Sequence, residues 1–293
     1  MNPAKPFVKW AGGKTQLLEQ IRKYYPSQIE KYCEPFVGGG AVLFDILNHH
    51  DVKEVLINDI NADLINVYEE IKLNCAGLIK KLYSMQDKYK SLSEEERKEF
   101  FYANRSRFNE LKLSADSKTE KAALLIFLNK TCFNGLYRVN LKGEFNVPFN
   151  NAKNPLICDE ENIKACSKVL QKVKMTVGDY SSCRNFIDKK TFVYFDPPYR
   201  PLSQSSAFTS YSSNGFTDQN QIELGQFINE ITLKGAKVLA SNSDPKNTNA
   251  SDDFFEEIYS PFMINRIHAN RMINSDAQKR GAVNELLITN IAI

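Results

Sequence analysis

Asp196-Pro197-Pro198-Tyr199 follows directly on the apolar run Thr191–Phe195. Consecutive prolines cannot extend a strand, because each lacks the N–H that the ladder needs. They therefore predict a rigid turn at the carboxyl end of a strand, the edge at which parallel α/β sheets bind ligands. Such a turn presents a carboxylate, a backbone carbonyl and an aromatic ring together. A stiff proline turn capped by an aspartate uses the same residue types, so the tetrapeptide needs a companion before it signifies chemistry. Phe36-Val37-Gly38-Gly39-Gly40 is one: the glycines follow a short apolar run and open a helix, where they allow positive φ and close approach of a ligand to the backbone. Asp59, 19 residues after Gly40, ends the next apolar run, about where a carboxylate takes both hydroxyls of a ribose. The third glycine of the dinucleotide fingerprint would fall at Leu43, so the pattern predicts an adenosine-type site without clear pyrophosphate binding. Gly12-Gly13-Lys14-Thr15 suggests a triphosphate loop, but the position that should carry its first glycine is Val8, and the phosphate cradle is incomplete.

These residues need elements to position them. Tyr32–Phe36, the glycines, a helix from Ala41 to Leu47 and a strand over Glu54–Asp59 make a βαβ unit, the start of a parallel α/β sheet. From Tyr68 to about Asn129 the spacing is helical, and Lys130–Asn154 is rich in Asn, Gly and Lys with interspersed aromatics. The α/β rhythm then returns, with strands predicted at Lys174–Val177, Thr191–Phe195, Ala236–Ser241 and Glu285–Asn290. The reading is an α/β domain over 1–68 and 155–293, interrupted by a mostly helical insertion at 69–154. The insertion holds 16 Lys and Arg against 11 Asp and Glu, a net +5, which leaves the remainder of the +3 chain at −2. A basic insertion on a slightly acidic body suits an anionic partner as well as it suits mere solubility.

At 293 residues, 42% hydrophobic and 25% charged, the chain sits in the globular range, and disorder or low complexity is excluded. No apolar run reaches membrane-spanning length, and the N-terminus leads into no apolar export segment, so a cytoplasmic protein with no membrane partner is expected. The cysteines at 33, 75, 132, 158, 166 and 183 form no Cys-x-x-Cys pair and read as reduced packing thiols. Three His leave little material for a metal site or a Ser-His-Asp triad, and no metal is expected.

The motifs combine. Phe7-Val8-Lys9-Trp10-Ala11-Gly12-Gly13-Lys14, Glu34-Pro35-Phe36-Val37-Gly38-Gly39-Gly40, Asn58-Asp59-Ile60-Asn61, Phe133-Asn134-Gly135-Leu136-Tyr137-Arg138, Gly143-Glu144-Phe145-Asn146-Val147-Pro148-Phe149, Val177-Gly178-Asp179-Tyr180 and Asp196-Pro197-Pro198-Tyr199 occur in this order. Together they strongly resemble the Dam-type, alpha-group DNA adenine methyltransferases, over essentially the whole chain. The resemblance implies a Rossmann-like, mostly parallel sheet with a helical target-recognition insertion. It also implies S-adenosylmethionine as methyl donor, S-adenosylhomocysteine as product, and the N6 amino group of an adenine in double-stranded DNA as acceptor, with GATC as the suggested context. Carried over by position, Trp10, Lys14, Phe36, Gly38, Gly39, Gly40, Asp59, Asp179, Tyr180 and Asp196 would face the cofactor. Asp196, Pro197, Pro198 and Tyr199 would form the catalytic turn, and Lys9, Phe133, Asn134, Leu136, Arg138 and Pro148 would approach the DNA.

The chemistry explains the residue types. The adenine amine is a poor nucleophile because its lone pair is delocalised into the ring. Hydrogen bonds from its N–H groups to the Asp196 carboxylate and the Pro197 carbonyl would favour a tetrahedral nitrogen aimed at the methyl group, so positioning and electrostatics would supply most of the catalysis. The base would have to be flipped out of the stack, with Tyr199 as its platform. Ser203, Ser205, Ser206 and Tyr211, and the basic stretch Arg266–Arg280, are further expected backbone contacts. A monomer or weak dimer is expected, bacterial or phage-encoded, with a cognate restriction endonuclease as genetic partner. RNA adenine or protein glutamine methyl transfer, and nicotinamide-dependent oxidoreduction, are the alternatives.

Overall fold

The computed structural model describes residues 2–112, 117–200, 216–270 and 282–292. Its strands are β1 (Lys31–Glu34), β2 (Glu54–Asp59), β3 (Val173–Val177), β4 (Thr191–Phe195), β5 (Lys237–Ser243), β6 (Met263–Asn270) and β7 (Ala282–Thr289). They form a seven-stranded sheet in the order β3-β2-β1-β4-β5-β7-β6. β1 pairs in parallel with β2 and β4, and β4 with β5; β7 runs antiparallel to both β5 and β6. The expected mostly parallel α/β sheet is present. β6 is an addition: Met263-Ile264-Asn265-Arg266-Ile267-His268 shows no sustained apolar run because it is an edge strand paired, among the described residues, with β7 alone, and edge strands tolerate polar residues.

Among the described residues the helices of eight residues or more are α1 (Ala41–His49), α2 (Ala62–Leu73), α3 (Cys75–Ser91), α4 (Glu94–Leu111), α5 (Lys118–Thr131), α6 (Glu160–Leu170) and α7 (Asp218–Leu233). Local signals start several of them. Asn61 accepts from the Leu64 N–H to cap α2, and Ser93 with Glu96 forms a capping box on α4.

By packing, the chain divides into one unit of residues 1–13, 37–49 and 58–179 and another of 14–36, 50–57 and 180–293. In the first, α5 is apolar almost all round, with Ala122–Leu128 buried. In the second, Cys33, Val193 and Phe195 on the strands pack with Leu224, Phe227, Ile228 and Ile231 of α7. Burial of such side chains is worth about 1.5–3 kcal/mol each. The six thiols are free and five are buried, as their reading as packing residues requires.

Candidate active site and nucleic-acid interface

The second unit carries the candidate catalytic turn, Asp196-Pro197-Pro198-Tyr199. β4 is buried along its whole length, so its carboxyl end is held rigidly and Asp196 begins where the strand stops. Lys14 reaches across 182 residues of sequence to place its ammonium 2.7 Å from Asp196 Oδ1 and 2.8 Å from Oδ2, with only 3% of its side chain exposed. The Ser241 hydroxyl, on β5, donates to Oδ1 at 3.0 Å, and the Tyr194 hydroxyl stands 3.1 Å behind it. A carboxylate offers about four lone-pair sites. Three contacts fix its plane and leave room for one incoming N–H. The same Lys14 ammonium lies 4.7 Å from the centre of the Tyr199 ring, close enough for attraction to its π face.

The rest of the turn is clamped from below. Gln221, fully buried on α7, donates to the Pro198 carbonyl at 2.9 Å and accepts from Asn242. Asn242 in turn accepts from the Arg200 N–H, and Ser243 donates to the Arg200 carbonyl. The Tyr199 hydroxyl donates to Glu285 of β7 at 2.7 Å. Burial, then the nearby carboxylates Asp196 and Glu285, push the Tyr199 phenol well up, so it remains a donor. Ser241, Gln221, Asn242 and Glu285 were not foreseen. For Ser241 and Asn242 the sequence signal is the polar tract Ser241-Asn242-Ser243-Asp244 closing a buried apolar strand; Gln221 and Glu285 carry none. Phe36 and Tyr180 form a half-buried pair with centroids 5.6 Å apart, and Phe36 also meets Phe195 and Phe216.

The glycine loop and its acid belong to the first unit. Gly38 (φ 47°) and Gly40 (φ 73°) sit in the left-handed region, and a Cβ on Gly40 would come 2.4 Å from the Tyr68 hydroxyl. That hydroxyl donates to the Gly38 carbonyl at 2.9 Å. A Cβ on Gly38 would come 2.9 Å from the Trp10 ring, so the indole lies directly on the loop. Asp59 accepts from the Gly38 N–H at 3.0 Å and the Asn61 N–H at 2.9 Å, one on each oxygen. Burial raises its pKa in spite of those bonds. A desolvated carboxylate with acceptor capacity left over, beside the half-buried Gly38 and Gly39, fits a ribose diol. Ile60, next to it, is 75% exposed and offers an apolar face that sequence reasoning passed over. Asp179 is exposed, just beyond the Gly178 that bonds to Asp59 and Asn58.

The candidate DNA-reading residues also lie in the first unit. Asn129 ties the ends together: its amide pairs with both backbone groups of Lys9 at 2.9 Å and donates to the Gly135 carbonyl at 2.7 Å. Phe133 donates its N–H to the Pro148 carbonyl at 2.9 Å. Lys9, Phe133, Asn134, Arg138 and Pro148 are exposed and Leu136 is half-buried. Asn134 holds φ 55°, a conformation few residues other than glycine adopt, which the surrounding bonds enforce. Arg138 is aimed by Asn146, whose side-chain oxygen takes its Nε–H at 2.8 Å.

Of the remaining expectations, Ser203, Ser205, Ser206, Tyr211 and residues 271–280 lie outside the described residues. Arg266 is engaged by Asp244 at 2.9 Å and by Glu256, so its charge is already matched within the protein.

A family profile described as D12 class N6 adenine-specific DNA methyltransferase matches residues 10–273. Among curated proteins, a Type II methyltransferase, M.MjaIII, of Methanocaldococcus jannaschii is 49% identical over 98% of this chain and 99% of its own length. A Type II methyltransferase, M1.LlaDCHI, of Lactococcus lactis is 38% identical over 98% of this chain and 95% of the relative. A DNA adenine methylase of Haemophilus influenzae is 33% identical over 97% and 92%. The match sets aside the oxidoreductase reading of the glycine loop, and it makes S-adenosylmethionine the methyl donor and DNA the substrate. The chain belongs to the D12 class of N6 adenine-specific DNA methyltransferases.

Proposed function

We infer that the chain methylates N6 of an adenine flipped out of duplex DNA, within GATC, and that Asp196-Pro197-Pro198-Tyr199 receives the flipped base. The observation that carries this reading is the seat built around Asp196. A carboxylate held by Lys14 and Ser241 already accepts hydrogen bonds from an ammonium, and an aromatic ring lies beside it. S-adenosylmethionine, when bound, supplies an electrophilic sulfonium methyl. Asp196 and the Pro197 carbonyl accept the two amine N–H groups, turn the nitrogen lone pair toward that methyl and hold the developing positive charge. Tyr199 stacks on the extruded ring, which offsets part of the few kcal/mol that flipping costs. In this reading Trp10, Gly38, Gly39, Gly40 and Asp59 hold the methionine and ribose parts, and Phe36, Asp179 and Tyr180 approach the adenine. Residues 69–154 act as the target-recognition region. The names of the relatives support a restriction-modification setting inside a prokaryotic cell. Among the described residues no helix is long and apolar enough to cross a membrane.

Incubation with radiolabelled S-adenosylmethionine and unmethylated plasmid tests the activity, and digestion with adenine-methylation-sensitive nucleases tests the context. Label on DNA and protection at GATC are expected. Label on RNA or protein alone would end the reading, and protection at another sequence would end its GATC part.

Two site predictions follow from the geometry. Asp59→Ala should weaken binding of the cofactor analogue sinefungin by at least about tenfold, because a charge-assisted hydrogen bond is worth about 1.5–3 kcal/mol. The pH dependence has a definite sign. A raised carboxyl pKa means that Asp59 contributes stability below the ordinary carboxylate range and loses it as pH rises through the raised value. The ribose hydroxyls need the ionised form, so sinefungin affinity should rise with pH over that same window. Calorimetry across pH should show this slope in the wild type and a flatter profile in Asp59→Ala. Arg138→Ala should relax discrimination at one outer base pair by about 1–3 kcal/mol. Steady-state rates on duplexes altered at each position check it, and uniform weakening on all sequences would assign Arg138 to phosphate instead.

A further inference from the structure

A second polar cluster in the first unit takes no part in the chemistry above. The Tyr137 hydroxyl donates to Asp63 Oδ2 at 2.9 Å. Lys112 Nζ lies 3.0 Å from that same oxygen and 3.0 Å from the Tyr137 hydroxyl, and donates to the Gly143 carbonyl at 2.7 Å. Tyr137 is 7% exposed, and the Asp63 and Lys112 side chains keep 13% and 19%. Three polar groups withdrawn from water contribute little net stability compared with apolar packing, but they hold one geometry tightly.

That geometry joins two places. On one side, the Tyr137 ring stacks on Trp10, with centroids 5.4 Å apart and planes 27° from parallel. Trp10 is the wall against which Gly38 and Gly39 lie. Asp63 stands in the first turn of α2, just after Asp59 and the Asn61 cap. On the other side, Lys112 grips the turn of a hairpin closed by Asn146 N–H to the Arg138 carbonyl (3.1 Å) and Asn140 N–H to the Glu144 carbonyl (2.9 Å). Arg138, at its base, is the next residue after Tyr137.

We propose that Tyr137, clamped by Asp63 and Lys112, is a positioning residue that couples the Arg138 hairpin to the Trp10–Gly38 wall, so that DNA on the hairpin tightens binding of S-adenosylmethionine. The proposal rests on the reading that Gly38, Asp59 and Trp10 hold the cofactor and that the hairpin reads DNA. Duplex bound to Arg138 and its neighbours orders the hairpin. Through Lys112 and the phenol it fixes the stack on Trp10, and the cofactor then has less ordering left to impose. Linkage makes the effect reciprocal: cofactor must tighten DNA binding by the same factor.

Trp10 is the single tryptophan of the chain, so its fluorescence reports on this wall. The experiment titrates sinefungin into the full chain, with and without a short duplex carrying the sequence that the methylation assay identifies, and reads Trp10 fluorescence and calorimetric Kd. The wild type should bind sinefungin at least about fivefold more tightly with duplex present. In Tyr137→Leu that ratio should fall to about one while the Kd without DNA stays near the wild-type value. Tyr137→Phe, which keeps the stack but releases Asp63, should fall between. Lys112→Met, which touches neither Trp10 nor the Gly38–Gly40 loop, should also lose coupling, and it decides the matter if Tyr137→Leu does not fold. A wild-type ratio of one, or a wild-type ratio retained in Lys112→Met and in folded Tyr137→Leu, overturns the proposal. Failure of the wild type to bind sinefungin at all would overturn the cofactor reading beneath it.

Discussion

Asp196→Ala should lower methyl transfer by about a thousandfold or more, the scale seen when a preorganised electrostatic group is removed from a reaction centre. It should also destabilise the protein, and the structure says why. Lys14 is 3% exposed, and Asp196 takes its ammonium on both oxygens. Removing the carboxylate takes the counter-charge from a desolvated cation, at a cost of about 3 kcal/mol, the low end for a buried pair because Asp196 keeps 20% of its side chain exposed. The two effects separate in a double variant. Lys14→Met with Asp196→Ala should recover most of the thermal stability and none of the activity. Thermal melts with single-turnover methylation read the two quantities independently. Near-normal turnover in folded Asp196→Ala, or recovery of activity along with stability in the double variant, would refute the role given to the carboxylate.

Tyr199→Ala should reduce flipping of the target adenine by about tenfold to a hundredfold, because stacking of a base on an aromatic side chain is worth about 1–3 kcal/mol. Tyr199→Phe is the informative control. It keeps the ring beside Lys14 and gives up the 2.7 Å bond to Glu285. If the ring is the platform, Phe should flip the base within a few-fold of wild type. If instead the Glu285 bond orients the turn, Phe should be as impaired as Ala. A fluorescent adenine analogue at the target position measures flipping directly. Sinefungin affinity should change little in either variant, which distinguishes loss of the platform from collapse of the site.

Much of this was legible in one dimension. The proline pair announced the turn after β4 because proline removes a donor and cannot continue a ladder. Gly38 and Gly40 announced the loop because their backbone angles suit glycine. Asp59 was visible as an acid at the end of an apolar strand. Each of these signals is local: a residue type dictated by its own backbone conformation. The edge strand β6 escaped notice for a related reason. Its burial is partial and it has one neighbour, so its residues keep no strong alternation.

By itself, then, the sequence determined the rigid turn after β4, the glycine loop with its acid, the α/β alternation and the family. Only the tertiary structure decided that Lys14, which its glycines had suggested for phosphate, meets Asp196 instead. It alone brought Ser241, Gln221 and Glu285 onto the Asp196–Tyr199 turn, and Asp63 and Lys112 onto Tyr137. Lysine, serine, glutamine and glutamate place no distinctive demand on their own backbone. Their partners are set by which strands and helices pack together, and that information lies in contacts spanning many tens of residues rather than in any local motif.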